Sequence, residues 1–175
     1  MEEYKGVKFT VVLAEGTVDG SEMIALDKEL TRFIKTLGNE GNTSIRKEEG
    51  FLIKRAGARM TALKNEDVVF VTKVDGNTVY AIGGTPSSES LMHKEIYEKR
   101  KDVNVIFHFH DNDLLKKETM NEVGPFDYGS PELAKSVGEA VLKWDFVKVR
   151  EHGFVIVALD KEELISKLEM FQTSK

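Results

Sequence analysis

Val103-Asn104-Val105-Ile106-Phe107-His108-Phe109-His110 is the stretch on which the fold turns. Val103, Val105, Phe107 and Phe109 alternate with the other residues at period two, the signature of a strand. Residues i and i+2 of a strand leave the same face, so His108 and His110 stand side by side. Two imidazoles at that spacing can ligate one transition metal, at roughly 2.0–2.1 Å for zinc. The plainer alternative is a pair of partly buried histidines that only hydrogen-bond, since H-x-H pairs arise often by accident. Asp111 follows as an oxygen acceptor for an imidazole N–H, and another histidine lies downstream in Glu151-His152-Gly153. The fourth, His93, falls in a helical pattern. Three imidazoles and an oxygen donor would fill the shell of a divalent metal.

Bulk properties set the frame. A chain of 175 residues, 41% hydrophobic and with three prolines, predicts one domain spanning 1–175. It has no cysteine, so any metal must rest on His, Asp or Glu. That composition suits a reducing compartment, and a cytoplasmic location is the expectation. No apolar run reaches the length of a membrane span, and the acidic start Met1-Glu2-Glu3-Tyr4 is unlike a signal peptide. A net charge of −5 argues against nucleic acid as a partner.

Working outward, Val7, Phe9, Val11 and Leu13 predict a first strand. Ser21 is expected to cap a helix with the apolar stripe Leu26, Leu30, Phe33, Ile34 and Leu37, stopping at Gly38. Short strands follow at 43–46 and 50–54. Segments 67–72 and 78–82 form a hairpin through Asp75-Gly76-Asn77. Ser87 or Ser88 caps a helix to about Arg100 with Leu91, Met92 and Ile96 buried. After the histidine strand, 111–128 reads as loop with a turn of helix. Ser130-Pro131-Glu132 opens a helix lined by Leu133, Val137 and Val141. Strands 146–149 and 154–159 flank His152, and Asp160-x-x-Glu163 is a capping box for a last helix through Leu164, Leu168 and Phe171. Hairpin-linked strands with interspersed helices predict a mostly antiparallel sheet with helices on its faces.

Two further constellations carry potential chemistry. Pro86-Ser87-Ser88-Glu89 opens a helix, where unpaired N–H groups and the positive end of the dipole favour a phosphate or carboxylate; an ordinary cap is the plainer reading. Gly41-Asn42-Thr43-Ser44 with Arg55-Ala56-Gly57 is either a second anion-binding pair of loops or simply two turns.

Taken together and in this order, Gly41-Asn42-Thr43-Ser44-Ile45-Arg46, Gly50-Phe51-Leu52-Ile53-Lys54, Pro86-Ser87-Ser88-Glu89 with His93 and Ile96-Tyr97, His108-x-His110 and Glu151-His152-Gly153 resemble the class II aldolase/adducin family. The nearest subgroup is the fuculose-phosphate aldolases, and the resemblance runs from about Ser21 to the C-terminus. It implies a three-layer α/β/α fold about a mostly antiparallel sheet, assembled as a homotetramer. It implies zinc, or another divalent cation, on His108, His110 and His152. Glu89 would ligate the resting metal and then act as acid and base. Asn42, Ser44, Gly57, Ser87 and Ser88 fall at or beside the phosphate-binding positions. The implied reaction cleaves a small ketose 1-phosphate, such as fuculose 1-phosphate, to dihydroxyacetone phosphate and an aldehyde through a metal-stabilised enediolate.

The chain also departs from the pattern. Lys54, Arg55 and Ala56 stand where the family carries hydroxyl residues or proline before the glycine of the second loop, so a donor is lost and positive charge gained. Arg55 is the expected substitute anion ligand. The chain ends soon after the last helix, without the tail that supplies a tyrosine in some aldolases; Tyr128, from the middle loop, is either the replacement or a packing residue. Sugar-phosphate dehydratases and epimerases share the histidines, although epimerases place Asp where Glu89 stands. Adducin-like assembly domains keep the fold and generally lose the histidines.

Overall fold

In the computed structural model the described residues are 6–34, 38–116 and 121–173. In chain order they form β1 (Thr10–Ala14), α1 (Ser21–Leu30), β2 (Asn42–Lys47), β3 (Gly50–Lys54), β4 (Val68–Asp75), β5 (Thr78–Ile82), α2 (Ser90–Lys99), β6 (Val105–Phe109), α3 (Asn112–Leu115), β7 (Glu122–Val123), α4 (Pro131–Ala140), β8 (Phe146–Val149), β9 (Gly153–Ala158) and α5 (Lys161–Thr173). The strands make one nine-stranded sheet in the order β1-β5-β4-β3-β2-β6-β9-β8-β7. Its neighbours are antiparallel except at the two edges, where β1 runs parallel to β5 and β7 parallel to β8. The expected mostly antiparallel arrangement is therefore what forms.

Each face of the sheet is covered. On one, Ile53, Val79, Ile106 and Val155 pack with Met92 and Ile96 of α2 and Leu133 and Val137 of α4. On the other, Leu52, Phe107, Phe109 and Phe154 pack with Met23, Leu26 and Leu30 of α1 and Leu164 and Leu168 of α5. Strand parity divides the two cores, since Ile106 and Phe107 are adjacent and serve opposite sides. These layers give the three-layer α/β/α architecture. No helix among the described residues is long and apolar enough to cross a membrane.

Several local expectations need correction. Ser21 does not cap α1; it is the first helical residue after Gly20, and its own N–H donates to Asp19 Oδ1 at 3.0 Å. The helix ends at Leu30 although its apolar stripe continues: Phe33 and Ile34 pack on the core from a turn rather than from the helix. Leu37 lies outside the described residues. Neither Ser87 nor Ser88 caps α2, because Glu89 occupies the cap position. By contrast, the Ser130 hydroxyl does accept the Leu133 N–H at 3.1 Å and caps α4. Asp160 Oδ1 accepts the Glu163 N–H at 2.8 Å, while the Glu163 carboxylate reaches back one residue further than a standard box, to the Leu159 N–H.

Beneath α1, Asp27 is fully buried and neither carboxylate oxygen has a hydrogen-bond partner of good geometry among the described residues. Burial pushes its pKa up to about 7, opposed by the Thr43 hydroxyl and the Lys54 ammonium. Between the unfolded value of 3.8 and about 7 the folded chain holds a proton that the unfolded chain releases. This group therefore removes stability as pH rises through that window. Asp27→Asn should flatten the decline, read as urea unfolding midpoints across the same range; a slope identical to the parent's would contradict this account.

Candidate active site

The site is built at the ends of β2, β6 and β9. Register places His108 opposite Asn42 on β2 and Val155 on β9, so the three strands converge beneath it. His108 is buried, and its Nδ1 lies 3.0 Å from the Phe154 carbonyl oxygen. A carbonyl can only accept, so His108 carries its proton on Nδ1 and turns a bare Nε2 outward. His110 Nε2 approaches that atom to 3.0 Å. His152 reaches the same point from the β8–β9 turn, its ring stacked on His108 with centroids 5.0 Å apart. Glu151 makes that turn possible by adopting φ +60°, an uncommon conformation for a non-glycine residue.

Gly153 is the spatial requirement behind the Glu151-His152-Gly153 triplet. A Cβ there would lie 2.6 Å from the Phe109 carbonyl oxygen and 3.0 Å from both the His108 and His110 rings. Gly41, at φ +74°, is similarly confined: its Cβ would meet the His108 carbonyl oxygen at 2.8 Å.

The potential ligand atoms of His108, His110 and His152 all lie within 4.8 Å of one another. A tetrahedral zinc at the usual bond length holds its nitrogens about 3.3 Å apart. Burial pushes the pKa of His108 well down, reinforced by the neighbouring imidazoles, and lowers that of His110 to about 4. Both are therefore neutral at pH 7, as ligation requires. His152 Nε2 has no hydrogen-bond partner among the described residues, and Glu89 Oε1 is 3.4 Å from it. Glu89 is itself buried, with Oε2 unpartnered among the described residues. One orphaned imidazole nitrogen, two more meeting beside it and a buried carboxylate form a donor set that fits a divalent cation. Asp111, expected as an acceptor for an imidazole N–H, caps α3 by accepting the Asp113 and Leu114 N–H groups.

The cluster opens into a cavity of about 980 Å³. Asn42, Gly57, Ser87, Ser88, Glu89 and Tyr128 line it, as do the three histidines. Two of the loops around it are laced together: Arg55 bridges Pro86, the Ser87 N–H donates to the Lys54 carbonyl, and the Ala56 N–H to the Thr85 carbonyl. Tyr128 faces the cavity, but its hydroxyl lies 3.2 Å from the Gly6 carbonyl and donates to it.

Two expected anion ligands are not brought to the cavity. Ser44 shares a face with Asn42 but lies two residues further along β2, beneath α2, where its hydroxyl meets His93 Nδ1 at 2.6 Å and the Tyr97 hydroxyl at 2.7 Å. Arg55 turns away: its guanidinium lies against Gly84 and donates to the Gly83 carbonyl. A buried cation that does line the cavity is Lys54, overlooked as a ligand in the sequence; Arg150 lines it too, with its guanidinium donating to the Gly124 carbonyl. The Lys54 ammonium donates to the carbonyls of Asn39 at 2.5 Å and Ala58 at 2.7 Å. With three protons and two carbonyl partners, it keeps one donor for an anion. Burial lowers its pKa to about 8, with Asp27, Glu40 and Asp67 opposing the shift. Its placement at the last position of β3, next to an evident basic turn, was the available signal.

This fold and these histidines define a known class. The chain belongs to the class II aldolase and adducin family, matching the Class II Aldolase and Adducin N-terminal domain over residues 21–116. Among individual proteins, it is 37% identical over 156 residues to an L-fuculose phosphate aldolase of Escherichia coli O6:H1, covering 78% of this chain and 71% of that one. It is 27% identical over 173 residues to an L-fuculose phosphate aldolase of Methanocaldococcus jannaschii, covering 89% and 92%. A solved L-fuculose 1-phosphate aldolase shares the fold with a TM-score of 0.69 at 22% identity, over 90% of this chain and 88% of that one. A sugar-phosphate aldolase from Thermotoga maritima superposes with a TM-score of 0.70 at 20% identity, over 87% and 89%.

Equilibrium dialysis of the purified protein against zinc should load about one ion per chain. His110→Ala or His152→Ala should weaken binding by more than the roughly 10–100-fold that losing an outer hydrogen-bond partner costs. Undiminished affinity in either variant would remove that residue from the ligand set.

Proposed function

We propose that the chain is a zinc-dependent class II aldolase that cleaves a small ketose 1-phosphate, such as fuculose 1-phosphate, to dihydroxyacetone phosphate and an aldehyde. The observation that carries this reading is the meeting of His108, His110 and His152 with the buried Glu89 carboxylate at the edge of a cavity that also presents a lysine and two serines. The names of the relatives support the substrate class.

His108, His110 and His152 would hold the cation, with Glu89 beside it. Bound there, zinc would supply Lewis acidity toward the substrate's carbonyl and hydroxyl oxygens. Glu89 is the base that takes the proton of the hydroxyl whose carbon–carbon bond breaks, and it returns a proton in the reverse direction. Its burial keeps bulk water from competing for that proton. The remote phosphate is held by Lys54, the Ser87 and Ser88 hydroxyls, the Gly57 loop and the Asn42 amide, fixing the reacting carbons before chemistry begins. Tyr128 is the candidate proton donor to the departing fragment, a role that requires its bond to the Gly6 carbonyl to open. The assembly expected is a homotetramer.

The direct test is a coupled assay for dihydroxyacetone phosphate release across a panel of ketose 1-phosphates, with and without zinc. Release that depends on the metal is the expected result; none from any member of the panel would overturn the assignment. Glu89→Gln should lower kcat by roughly 100-fold or more with little change in zinc content. Lys54→Met should raise KM at least tenfold, whereas Arg55→Ala should leave KM within about twofold, since only the former removes a cation from the cavity.

A further inference from the structure

One buried group near the site has no part in the reaction just described. His93, on α2, is fully buried, and its Nε2 has no hydrogen-bond partner among the described residues. At the N-cap of the same helix, one turn earlier, Glu89 Oε2 is likewise buried and unpartnered among the described residues. Positions i and i+4 lie one above the other on a helix, so these two orphaned atoms belong to neighbouring side chains. Each is costly to leave alone, and together they are a donor and an acceptor.

The direction of the hydrogen bonds follows from proton counting. The Tyr97 hydroxyl has two acceptors within reach, Ser44 Oγ at 2.7 Å and the Asn104 carbonyl at 3.4 Å. The short contact takes its proton. Burial pushes the Tyr97 pKa up, so the phenol keeps that proton to donate. Ser44, now an acceptor from Tyr97, has one proton of its own and gives it to His93 Nδ1 at 2.6 Å. A neutral imidazole that accepts at Nδ1 must carry its hydrogen on Nε2. Burial lowers the His93 pKa to about 3, so the ring is neutral at physiological pH. Arg46 steadies the start of this chain, its guanidinium stacked 4.5 Å over the Tyr97 ring and donating to the Tyr97 carbonyl.

We propose that His93 is a positioning residue: the chain Tyr97 to Ser44 to His93 fixes its Nε2–H tautomer, and that N–H is presented through one ordered water to the buried oxygen of Glu89. Glu89 is thereby oriented with Oε1 toward His152. The consequence for chemistry rests on Glu89 acting as acid and base, as argued above; the tautomer and the contact do not. This arrangement also explains why Ser44 is withheld from the cavity, since its hydroxyl is a link between two other side chains.

The test reads the histidine nitrogens by NMR in the metal-free full chain with 15N-labelled histidine, His93 being assigned from the spectrum of His93→Gln. Protonated Nε2 and bare Nδ1 are expected. Tyr97→Phe and Ser44→Ala should each shift the ring toward a mixture of tautomers, and Glu89→Ala should speed exchange of the Nε2–H with solvent by at least tenfold. A proton on Nδ1 in the parent, or a tautomer indifferent to both Tyr97→Phe and Ser44→Ala, overturns the chain. Exchange unaffected by Glu89→Ala overturns the contact. With turnover as the readout, His93→Gln, which offers an amide nitrogen near Nε2, should keep most of kcat. His93→Asn, which offers one near Nδ1, should lose tenfold or more with KM little changed. Equal losses in the two variants would reduce His93 to a packing role. The expected tautomer in a protein that cleaves no ketose phosphate would sink the assigned reaction and leave this arrangement standing.

Discussion

Strand β6 is hydrogen-bonded on both sides, to β2 through Asn42–Ile45 and to β9 through Phe154–Ala158. That double pairing decides which way each of its side chains points, because a one-residue slip would exchange every one between the two faces. Phe107 and Phe109 stack on each other with centroids 5.0 Å apart, and Phe109 stacks on Phe154 at 5.3 Å, inside the core under α1 and α5. Withdrawing those rings from water is what holds the register. His108 and His110 are then delivered to the opposite side whatever they cost. The pairing of His108 with His110 is thus a by-product of an aromatic core on the other face of the sheet.

That delivery has an electrostatic price: burial and the crowding of neighbouring rings depress the pKa values of His108 and His110, which keeps those two imidazoles neutral. The carboxylates near the site are treated in two ways. Glu89 faces the imidazoles, where a cation would balance it. Asp27 sits behind Lys54, where the ammonium and the Thr43 hydroxyl compensate it only in part. Lys54 serves two ends at once: its ammonium ties the carbonyls of Asn39 and Ala58 together and keeps a positive charge on the cavity wall.

How much of this was legible in the sequence depends on the range of the interaction involved. The period-two run read over 103–110 forms a strand over Val105–Phe109, with Val103 outside it in the opposite core. The capped start at Ser130-Pro131 is a local signal and emerged as read. So did the Asp75-Gly76-Asn77 turn, which joins antiparallel β4 and β5. The histidine convergence was legible only through the order of motifs, since nothing local links His152 to His108. Where the reading went astray, parity was right and extent was wrong. Asn42 and Ser44 point the same way, but the strand runs out from under the cavity between them. Arg55 carries the more obvious anion-binding group, yet the lacing of 54–56 to 85–87 turns it toward Gly83 and leaves Lys54 inside. The apolar stripe beyond Leu30 is real packing without helix, a distinction that periodicity does not make.

Gly153 contributes no functional group, yet a single added methyl would collide with a backbone oxygen and wedge two imidazole rings apart. The histidine cluster is thus shaped partly by a missing side chain, and its fragility lies at a residue that no inventory of chemistry would name. Any effort to reshape this cavity must leave that one blank space empty, because filling it disturbs the Phe109 carbonyl and the His108 and His110 rings at once.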